Sequence, residues 1–381
     1  MSWISFLKRV ISPAVRRRLD WLLRPLWALP RCIVILLGER PQGGRAQVFY
    51  GHGRIPDPHD QIHGGLVKFQ RMQDEFPNSP RRFNVLYMVS SRMPYGGEYV
   101  AWCARKKGMR IVWNQNGVAY PSWYGPGWEQ INAPMARLHA DADYVFYQSQ
   151  FCKLSADRFL GERQGPWEIL YNSVDTKLFA PATSDPDPDQ LVLLLGGTQY
   201  QYYRLDCALR VLAALIRHGI KARLLVTGRL SWMLNEEEAG RQAEELVKRL
   251  GLQGRVRFLG PYTQVDAPSI FRQAHILLHT KVNDPCPGLV VEAMACGLPV
   301  VYSSSGGLPE LVGDQAGVGV PAELDWNRDV PPDSESMANA IVQVVRNRDR
   351  YAQAARRRAM ERFDLQPWLA RHREVFATVL R

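Results

Sequence analysis

Residues 283–313 read NDPCPGLVVEAMACGLPVVYSSSGGLPELVG, and this stretch holds the most informative pattern in the chain. Pro287 and Gly288 end the loop after the apolar run AHILLHT and begin a helix, GLVVEAMACG. The first amides of a helix have no partner within it, and the helix dipole adds a partial positive charge there. We therefore expect phosphate to bind at this helix start, which also includes Leu289 and Val290.

Two carboxylates flank the helix start. Glu292 lies about one turn inside the helix and Asp284 lies in the loop before it, so both side chains can face the same pocket. Carboxylates accept hydrogen bonds from adjacent sugar hydroxyls, while the helix start suits phosphate. A nucleotide sugar combines both groups and is the predicted ligand.

Strand-length apolar runs alternate with helical patterns on both sides of a proline-rich stretch. Residues 46–180 repeat this βαβ rhythm from QVFYGHG to EILYN, and residues 191–362 repeat it from LVLLLGG onward. The stretch APATSDPDPDQ has no periodicity and marks residues 181–190 as a linker. The pattern predicts an α/β fold of two Rossmann-like, doubly wound domains that face each other across a central crevice.

The composition is that of a globular protein with two domains. The chain has 381 residues, of which 46% are hydrophobic and 22% are charged, and this length exceeds one ordinary core. No uncharged apolar run is long enough to span a bilayer. The six cysteines are scattered without C-x-x-C spacing, which argues against a zinc site or a disulfide framework and fits a reducing cytoplasm.

The N-terminal segment, residues 1–45, carries most of the net charge of +11. Nine lysines and arginines against two acids give this segment a charge of +7, and they alternate with Trp, Leu and Ile. Basic amphipathic segments lie in membrane interfaces, so we expect residues 1–40 to bind an anionic membrane surface. A helix docked on the protein's own core is the alternative. Nucleic acid is not a predicted partner, because no recognition motif accompanies the charge.

The chain resembles the retaining glycosyltransferases of family four (glycosyl transferases group 1), which have the GT-B fold. Their signature E-x(7)-E, AMACGxPVV and GGxxE is matched from Asp284 through Glu310, with Asp in place of the first Glu. The resemblance implies that Glu292 holds the ribose of the nucleotide and that Asp284 contacts the transferred sugar near its reacting carbon. It covers residues 46–381 and implies that residues 363–381 form a closing helix that crosses back to the N-terminal, acceptor-side domain.

The family also has a G-R-x-x-x-x-K pattern after the first strand of the second domain, and its two cations hold the diphosphate. In GGTQYQYYRLD, Gly197 fits the glycine, Thr198 replaces the arginine, and Arg204 lies close to the lysine position. We predict Arg204 as the catalytic cation on the diphosphate, since guanidinium binds phosphate bidentately. An exposed helix start is the alternative for Arg204. Arg229, in TGRL, is a second donor-binding candidate.

The first domain offers weaker candidates for donor binding. Gly64 and Gly65, in IHGGLVKF, resemble the family's glycine loop that approaches the sugar and the diphosphate. Asn116, in WNQNGVAY, occupies the place of a histidine in many relatives and can hydrogen-bond the donor sugar. The D-x-D spacing in residues 185–189 lies in the linker, so we expect neither a metal nor another cofactor.

These residues predict a retaining glycosyltransferase of hexosyltransferase type. It would move a sugar from a nucleoside diphosphate sugar to a hydroxyl of a glycolipid or oligosaccharide acceptor, in the synthesis of cell-surface polysaccharide or glycolipid. The predicted location is the cytoplasm, peripheral on the inner face of the cell membrane. The alternatives are a non-catalytic subunit that binds nucleotide sugar, and an epimerase or phosphorylase of GT-B fold.

Overall fold

The computed structural model describes residues 13–41, 44–62 and 64–381. The first domain contains a sheet of five parallel strands, whose order follows the chain order β1-β2-β3-β4-β5. The strands are short and mostly buried, as expected where helices cover both faces of a parallel sheet. Their bounds are Val48–Phe49 (β1), Val85–Val89 (β2), Arg110–Gln115 (β3), Tyr144–Tyr147 (β4) and Trp167–Ile169 (β5).

The helices of the first domain pack on both faces of this sheet. Glycine precedes two of them in a left-handed conformation that other residues adopt rarely, at Gly96 and Gly127. The helix bounds are Pro13–Leu37 (α1), Gly64–Met72 (α2), Gly97–Lys106 (α3), Pro121–Tyr124 (α4), Trp128–Asp141 (α5) and Gln150–Phe159 (α6).

Helix α1 docks on the first domain through one face. Ala28, Cys32 and Ile35, which recur at helical spacing, are buried in the core that α3 also lines. The opposite face leaves Leu26, Trp27 and other apolar side chains exposed. The predicted N-terminal segment thus meets the protein core and also presents an apolar surface, while residues 1–12 lie outside the described residues.

The second domain contains a sheet of six parallel strands in the order β11-β10-β9-β6-β7-β8. The order reverses between β6 and β9, as in a doubly wound sheet, and the carboxyl ends of strands at such a reversal form a ligand crevice. The strands are Leu191–Leu195 (β6), Ala222–Thr227 (β7), Val256–Gly260 (β8), Ile276–His279 (β9), Val300–Ser304 (β10) and Gly317–Pro321 (β11).

Helices also cover both faces of the second sheet. They are Tyr202–Arg217 (α7), Glu236–Arg249 (α8), Ala267–Phe271 (α9), Gly288–Ala295 (α10), Leu308–Val312 (α11), Ser334–Arg346 (α12) and Arg348–Arg362 (α13). Helix α10 follows β9 directly, so its N-terminus lies at the carboxyl edge of the sheet. This places the helix start that the sequence singled out in the crevice.

The last helix, Leu365–Leu380 (α14), packs on the first domain. Trp368, Leu369 and Phe376 are buried against side chains of β1 and β2. The segment between the domains, residues 181–190, forms neither helix nor strand. Its Asp185 carboxylate pairs with His275 and with Arg348 of the second domain.

Candidate functional site

A cavity of about 790 Å³ lies between the two domains and is lined by residues of both. We call it the interdomain cavity. It brings together all but one of the predicted site residues: Gly64, Gly65, Asn116, Gly197, Thr198, Arg204, Arg229, Asp284, Pro287, Gly288, Leu289 and Glu292. Val290 is not part of this lining. Its side chain is buried in the core, and its amide donates to the carbonyl oxygen of Pro287 at 3.1 Å.

The start of α10 opens onto the interdomain cavity. Pro287 is the N-cap residue, and no side chain caps the helix. A Cβ atom placed on Gly288 would meet no atom within 4 Å, so there is open space beside the first turn of the helix. Amides that lack intrahelical partners and face open space form an anion site.

Two glycines in GGLPE allow the chain to pass close behind the Asp284 loop. A Cβ on Gly306 would lie 2.5 Å from the carbonyl oxygen of Asp284, and one on Gly307 would overlap the carbonyl of Pro285. The amide of Gly307 donates to the carbonyl oxygen of Asp284 at 2.9 Å. Because of this close approach, β10 can hold the backbone of the acidic loop in place.

The Asp284 carboxylate is buried and paired within the second domain. Its two oxygens lie 3.1 Å from Nε2 of His279 and 3.3 Å from Nζ of Lys281. Burial acts to raise the pKa of Asp284, but Lys281 and His279 outweigh it and hold the pKa below its ordinary value. Burial also lowers the pKa of His279, so a neutral imidazole donates from Nε2 to an ionised carboxylate. Lys281 also lies 4.6 Å from the ring centroid of Trp123 in the first domain.

Glu292 is paired with a cation from the opposite domain. Nη2 of Arg71, on helix α2, lies 2.6 Å from Oε1 of Glu292. The same guanidinium also donates to the carbonyl of Ser173 and lies 3.4 Å from Oε1 of Gln264. Arg71 therefore joins the first domain to the carboxylate that is predicted to hold ribose.

Arg204 is buried and hydrogen-bonded to the loop that precedes its own helix. Its guanidinium donates to the carbonyl oxygens of Thr198 at 2.6 Å and Gly196 at 3.2 Å. Two of its donors thus hold the loop after β6, while the side chain still contributes to the cavity wall. The alternative of an exposed helix start is wrong, because Arg204 is almost fully buried. Its contact with diphosphate stays a prediction.

The other predicted donor-binding residues lie at the rim and on the first-domain wall. Arg229 is partly exposed and pairs with Glu236 at 3.2 Å. Asn116 donates from Nδ2 to Oγ of Ser91 at 2.6 Å, and its side-chain Oδ1 accepts a hydrogen bond from the hydroxyl of Ser90. Gly64 and Gly65 begin α2. Because glycine has no side chain, both residues present backbone atoms to the cavity.

Helix α2 carries a buried lysine that sequence reasoning missed. Lys68 lines the interdomain cavity with a side chain that is almost fully buried, and its Nζ donates to Oδ1 of Asn114 at 3.1 Å. Arg71 lies three residues later, on the same side of the helix. The sequence signal was slight: Lys68 falls between Val67 and Phe69 in an apolar run.

Several hydrogen bonds join the two walls of the cavity. Glu310, the last residue of the GGxxE match, accepts hydrogen bonds from the amides of Gln150 at 2.9 Å and Phe151 at 3.1 Å. These amides begin α6 of the first domain and have no partners within that helix. Oγ of Ser149 donates to the carbonyl of Pro285 at 2.6 Å. The motif glutamate therefore caps a helix of the opposite domain.

Among the described residues there is no group of three His, Cys, Asp or Glu side chains arranged to hold a metal ion. Two of the three acids of the linker pair with cations: Asp185 with His275 and Arg348, and Asp187 with Arg223.

Comparison with known sequences supports the resemblance. The family model described as glycosyl transferases group 1 matches residues 189–347, which cover most of the second domain. A D-inositol 3-phosphate glycosyltransferase of Saccharomonospora viridis is 31% identical over 160 residues, 41% of this chain and 35% of the relative. The gpi3 subunit of the phosphatidylinositol N-acetylglucosaminyltransferase of Schizosaccharomyces pombe is 22% identical over 177 residues, 46% of this chain and 35% of the relative. The chain thus matches about a third of the length of these curated relatives.

Solved structures share the fold. Anabaena HepE in complex with UDP superposes with a TM-score of 0.63 at 20% identity, covering 78% of this chain and 79% of that chain. Sucrose-phosphate synthase from Thermosynechococcus elongatus gives a TM-score of 0.65 at 18% identity, covering 82% and 77%. The predicted α/β fold with two domains in the GT-B arrangement is confirmed.

Proposed function

We propose that this chain, whose second domain belongs to the glycosyl transferases group 1 family, transfers a sugar from a nucleoside diphosphate sugar to an acceptor hydroxyl, with retention. The acceptor is a glycolipid or an oligosaccharide of cell-surface polysaccharide or glycolipid synthesis. One observation carries the proposal: the uncapped start of α10 opens into the interdomain cavity with Asp284 and Glu292 beside it.

The geometry is suited to stabilising a departing nucleotide. The amides at Gly288 and Leu289 face the place where negative charge develops on the diphosphate, and a preorganised donor of this kind typically contributes a few kcal/mol. Arg204 donates hydrogen bonds to two carbonyl oxygens of the loop after β6 and so helps to hold that loop in place. In a front-face route the acceptor attacks from the side on which the phosphate departs, and this keeps the configuration at the anomeric carbon. The departing phosphate helps to deprotonate the acceptor hydroxyl. The contacts between the two walls help to exclude water, which would otherwise hydrolyse the donor.

Asp284 is proposed to act on the transferred sugar as a carboxylate. Its charge is held by Lys281 and His279, and each carboxylate oxygen keeps a further lone pair for a sugar hydroxyl. The aspartate is one methylene shorter than the glutamate that is usual in the family. The carboxylate therefore sits farther back, which leaves room for a different sugar or a different hydroxyl pattern.

The lining of the first-domain side supports a lipid acceptor. The interdomain cavity continues along Met93, Pro94, Ile131 and Met135, which are apolar or weakly polar, and reaches Arg24 of α1. A hydrocarbon chain of the acceptor would find a matching apolar surface there. This part of the cavity is the proposed acceptor side.

We propose that the outward face of α1 lies on an anionic membrane surface. Its exposed side chains include Leu26 (61% exposed), Trp27 (65%) and Leu37 (81%), and these residues belong to a strongly basic segment. An apolar face on a basic segment is typical of an interfacial helix. No helix among the described residues has the length and apolar character needed to cross a membrane.

The test is transfer by Glu292→Gln and by the wild type, measured with labelled nucleotide sugars and lipid-linked acceptors. The variant keeps the shape of the side chain but weakens both the Arg71 pair and the ribose contact, so transfer should fall by about a hundredfold or more. Asp189→Asn, an exposed acid in the linker, is the control. If Glu292→Gln transfers sugar at the wild-type rate, the assignment of the site is wrong.

A non-catalytic subunit that binds nucleotide sugar is the second candidate, because Asp284, Thr198 and Asn116 depart from the family pattern. It predicts nucleotide binding without turnover across a panel of acceptors. An epimerase or phosphorylase would instead process its substrate without any alcohol acceptor. Incubation of the protein with donor alone, followed by product analysis, distinguishes these activities from transfer.

A further inference from the structure

Helix α2 presents two cations to the start of α10 from across the interdomain cavity. Lys68 and Arg71 lie three residues apart on one side of α2, and both line the cavity together with Gly288 and Glu292. Arg71 reaches the second domain directly, with Nη2 at 2.6 Å from Oε1 of Glu292. The first domain therefore contributes positive charge opposite a helix end that attracts anions.

The buried ammonium group of Lys68 donates to a neutral hydrogen-bond acceptor and has no anionic partner among the described residues. Its hydrogen-bond acceptor is Oδ1 of Asn114, which also accepts from Nε2 of Gln148 at 2.6 Å. Among the described residues no carboxylate lies within ion-pair distance of Lys68. A buried ammonium without an anionic partner is costly, so such a group indicates a ligand that supplies the charge.

The second domain holds its own cations in other contacts. Thr198 stands where the family pattern has an arginine, and Arg204 donates to two loop carbonyls. Lys281 is paired with Asp284. Among the described residues of the second domain, the three cations that line the cavity, Arg204, Arg229 and Lys281, are thus each engaged by other groups.

We propose that Lys68 and Arg71 complete the anion site of α10, so that the donor diphosphate is bound between the first and second domains. This inference rests on the proposed function and names the residues that hold the phosphates. Diphosphate binding then favours the closed arrangement of the two walls, because its partners lie on both. A phosphate of the acceptor is the other source of the same charge, and the experiment separates the two by leaving the acceptor out.

The test compares binding of a nucleoside diphosphate with binding of its nucleoside, by calorimetry, for the wild type and Lys68→Met. UDP, GDP and ADP are screened first, and the best binder is used with its nucleoside. Methionine fills the same space without charge, and Gln148 still donates to Asn114. We expect the affinity gained from the diphosphate to fall at least about tenfold, with the melting temperature unchanged or raised. Lys177→Met, at an exposed lysine, is the matched control.

Each outcome decides the matter. If Lys68→Met keeps the full diphosphate gain and melts at a lower temperature, the lysine is a structural donor to Asn114 and the inference fails while the proposed function stands. If the wild type binds no nucleoside diphosphate, the proposed function fails with it. Arg71→Lys should retain part of the diphosphate gain, whereas Arg71→Met should lose it.

The pH dependence gives an independent readout. Burial lowers the pKa of Lys68 to about 7, and a bound phosphate favours the protonated form. The affinity of the wild type for a nucleoside diphosphate sugar should therefore be greatest below pH 7 and should fall by up to about tenfold per unit above it. Lys68→Arg, which stays charged, should bind with a flat profile. A flat wild-type profile would overturn the inference.

The groups that face Lys68 do not change charge in this range. Burial raises the pKa of the Cys286 thiol to about 12 and also raises that of Cys152. Burial lowers the pKa of His372, on α14, to about 3. Burial also raises the pKa of Tyr87, and the positive charge of Arg71 acts in the same direction as burial on the pKa of Lys68.

Discussion

The two walls of the interdomain cavity are built in different ways. Much of the second-domain wall comes from one continuous stretch, residues 283–313, whose loop and helix start line the cavity while two of its glycines pack behind that loop. The loops after β6, β7 and β8 add further lining. The first-domain wall collects its residues from separate segments: Lys68 and Arg71 from α2, Asn116 from the loop after β3, and Trp123 from α4. A local motif therefore describes one wall, while only the topology of the sheet assembles the other.

The walls also differ in charge. The second domain supplies helix amides, the carboxylates of Asp284 and Glu292, and cations that are engaged in contacts within that domain, while the first domain supplies Lys68 and Arg71. Neither wall alone has the partners for a nucleotide sugar. The carboxylates and helix amides of one wall thus lie opposite the cations of the other, and a ligand with sugar hydroxyls and phosphates would contact both.

The largest expected effect is on the second-domain wall. Asp284→Asn removes a charge that Lys281 and His279 hold at the proposed sugar site, so kcat should fall by about a hundredfold, with a smaller change in donor affinity. Steady-state transfer kinetics and calorimetry measure the two quantities. Equal loss in kcat and in binding would mean that Asp284 only builds the pocket. Asp189→Asn serves as the control at an exposed acid.

Two glycines of the same stretch should respond in opposite ways. Gly288→Ala adds a methyl group in open space and improves the helix, so the free energy of unfolding should rise by up to about 1 kcal/mol. The same methyl group obstructs phosphate, and donor affinity should fall about tenfold. Gly307→Ala should instead lower the free energy of unfolding by about 1–3 kcal/mol, because its Cβ overlaps the carbonyl of Pro285. Thermal unfolding and donor titration of both variants check this.

A smaller effect is expected where the two walls meet. Glu310→Ala removes the acceptor for the first amides of α6, which should lower the free energy of unfolding by about 1–2 kcal/mol. Because the contact spans both domains, donor KM should rise several-fold with kcat nearly unchanged. Glu323→Ala, an exposed acid of the second domain, is the control. An unchanged KM would confine Glu310 to helix capping.

The smallest effect lies outside the cavity. Leu37→Ser removes one exposed apolar side chain from α1 and should weaken binding to anionic vesicles several-fold, a change of about 1 kcal/mol. Flotation with vesicles of phosphatidylglycerol and phosphatidylcholine measures it. Leu234→Ser, at an exposed leucine of the second domain, is the matched control. If Leu37→Ser and Leu234→Ser float to the same extent, Leu37 of α1 does not contact the membrane.

The fold and the second-domain wall could be predicted because their signals are local. The alternation of apolar runs predicts the α/β fold, and Pro287 and Gly288 predict where α10 begins, as the structure has it. Val290 shows the limit of this reasoning. It follows the same helix start, but its amide is already used by Pro287, and that hydrogen bond depends on how tightly the first turn closes.

The first-domain wall could not be predicted, because its contacts join residues that are distant in sequence. Arg71 and Glu292 are separated by the whole linker and most of the second sheet, yet their side chains meet at 2.6 Å. Arg204 was predicted as a cation near the diphosphate. Its hydrogen bonds to the carbonyl oxygens of Thr198 and Gly196 were not predicted, because no sequence pattern gives the conformation of the loop after β6. The docking of α1 did have a signal, since Ala28, Cys32 and Ile35 recur at helical spacing.

The position of α14 has a consequence for synthesis on the ribosome. Trp368, Leu369 and Phe376 belong to the core of the first domain, although they lie at the other end of the chain. The nascent first domain therefore has an open apolar face throughout translation of the second, and its core closes only when α14 emerges. The core of the first domain is thus completed only after the second domain has been synthesised, and chaperones have that interval in which to bind.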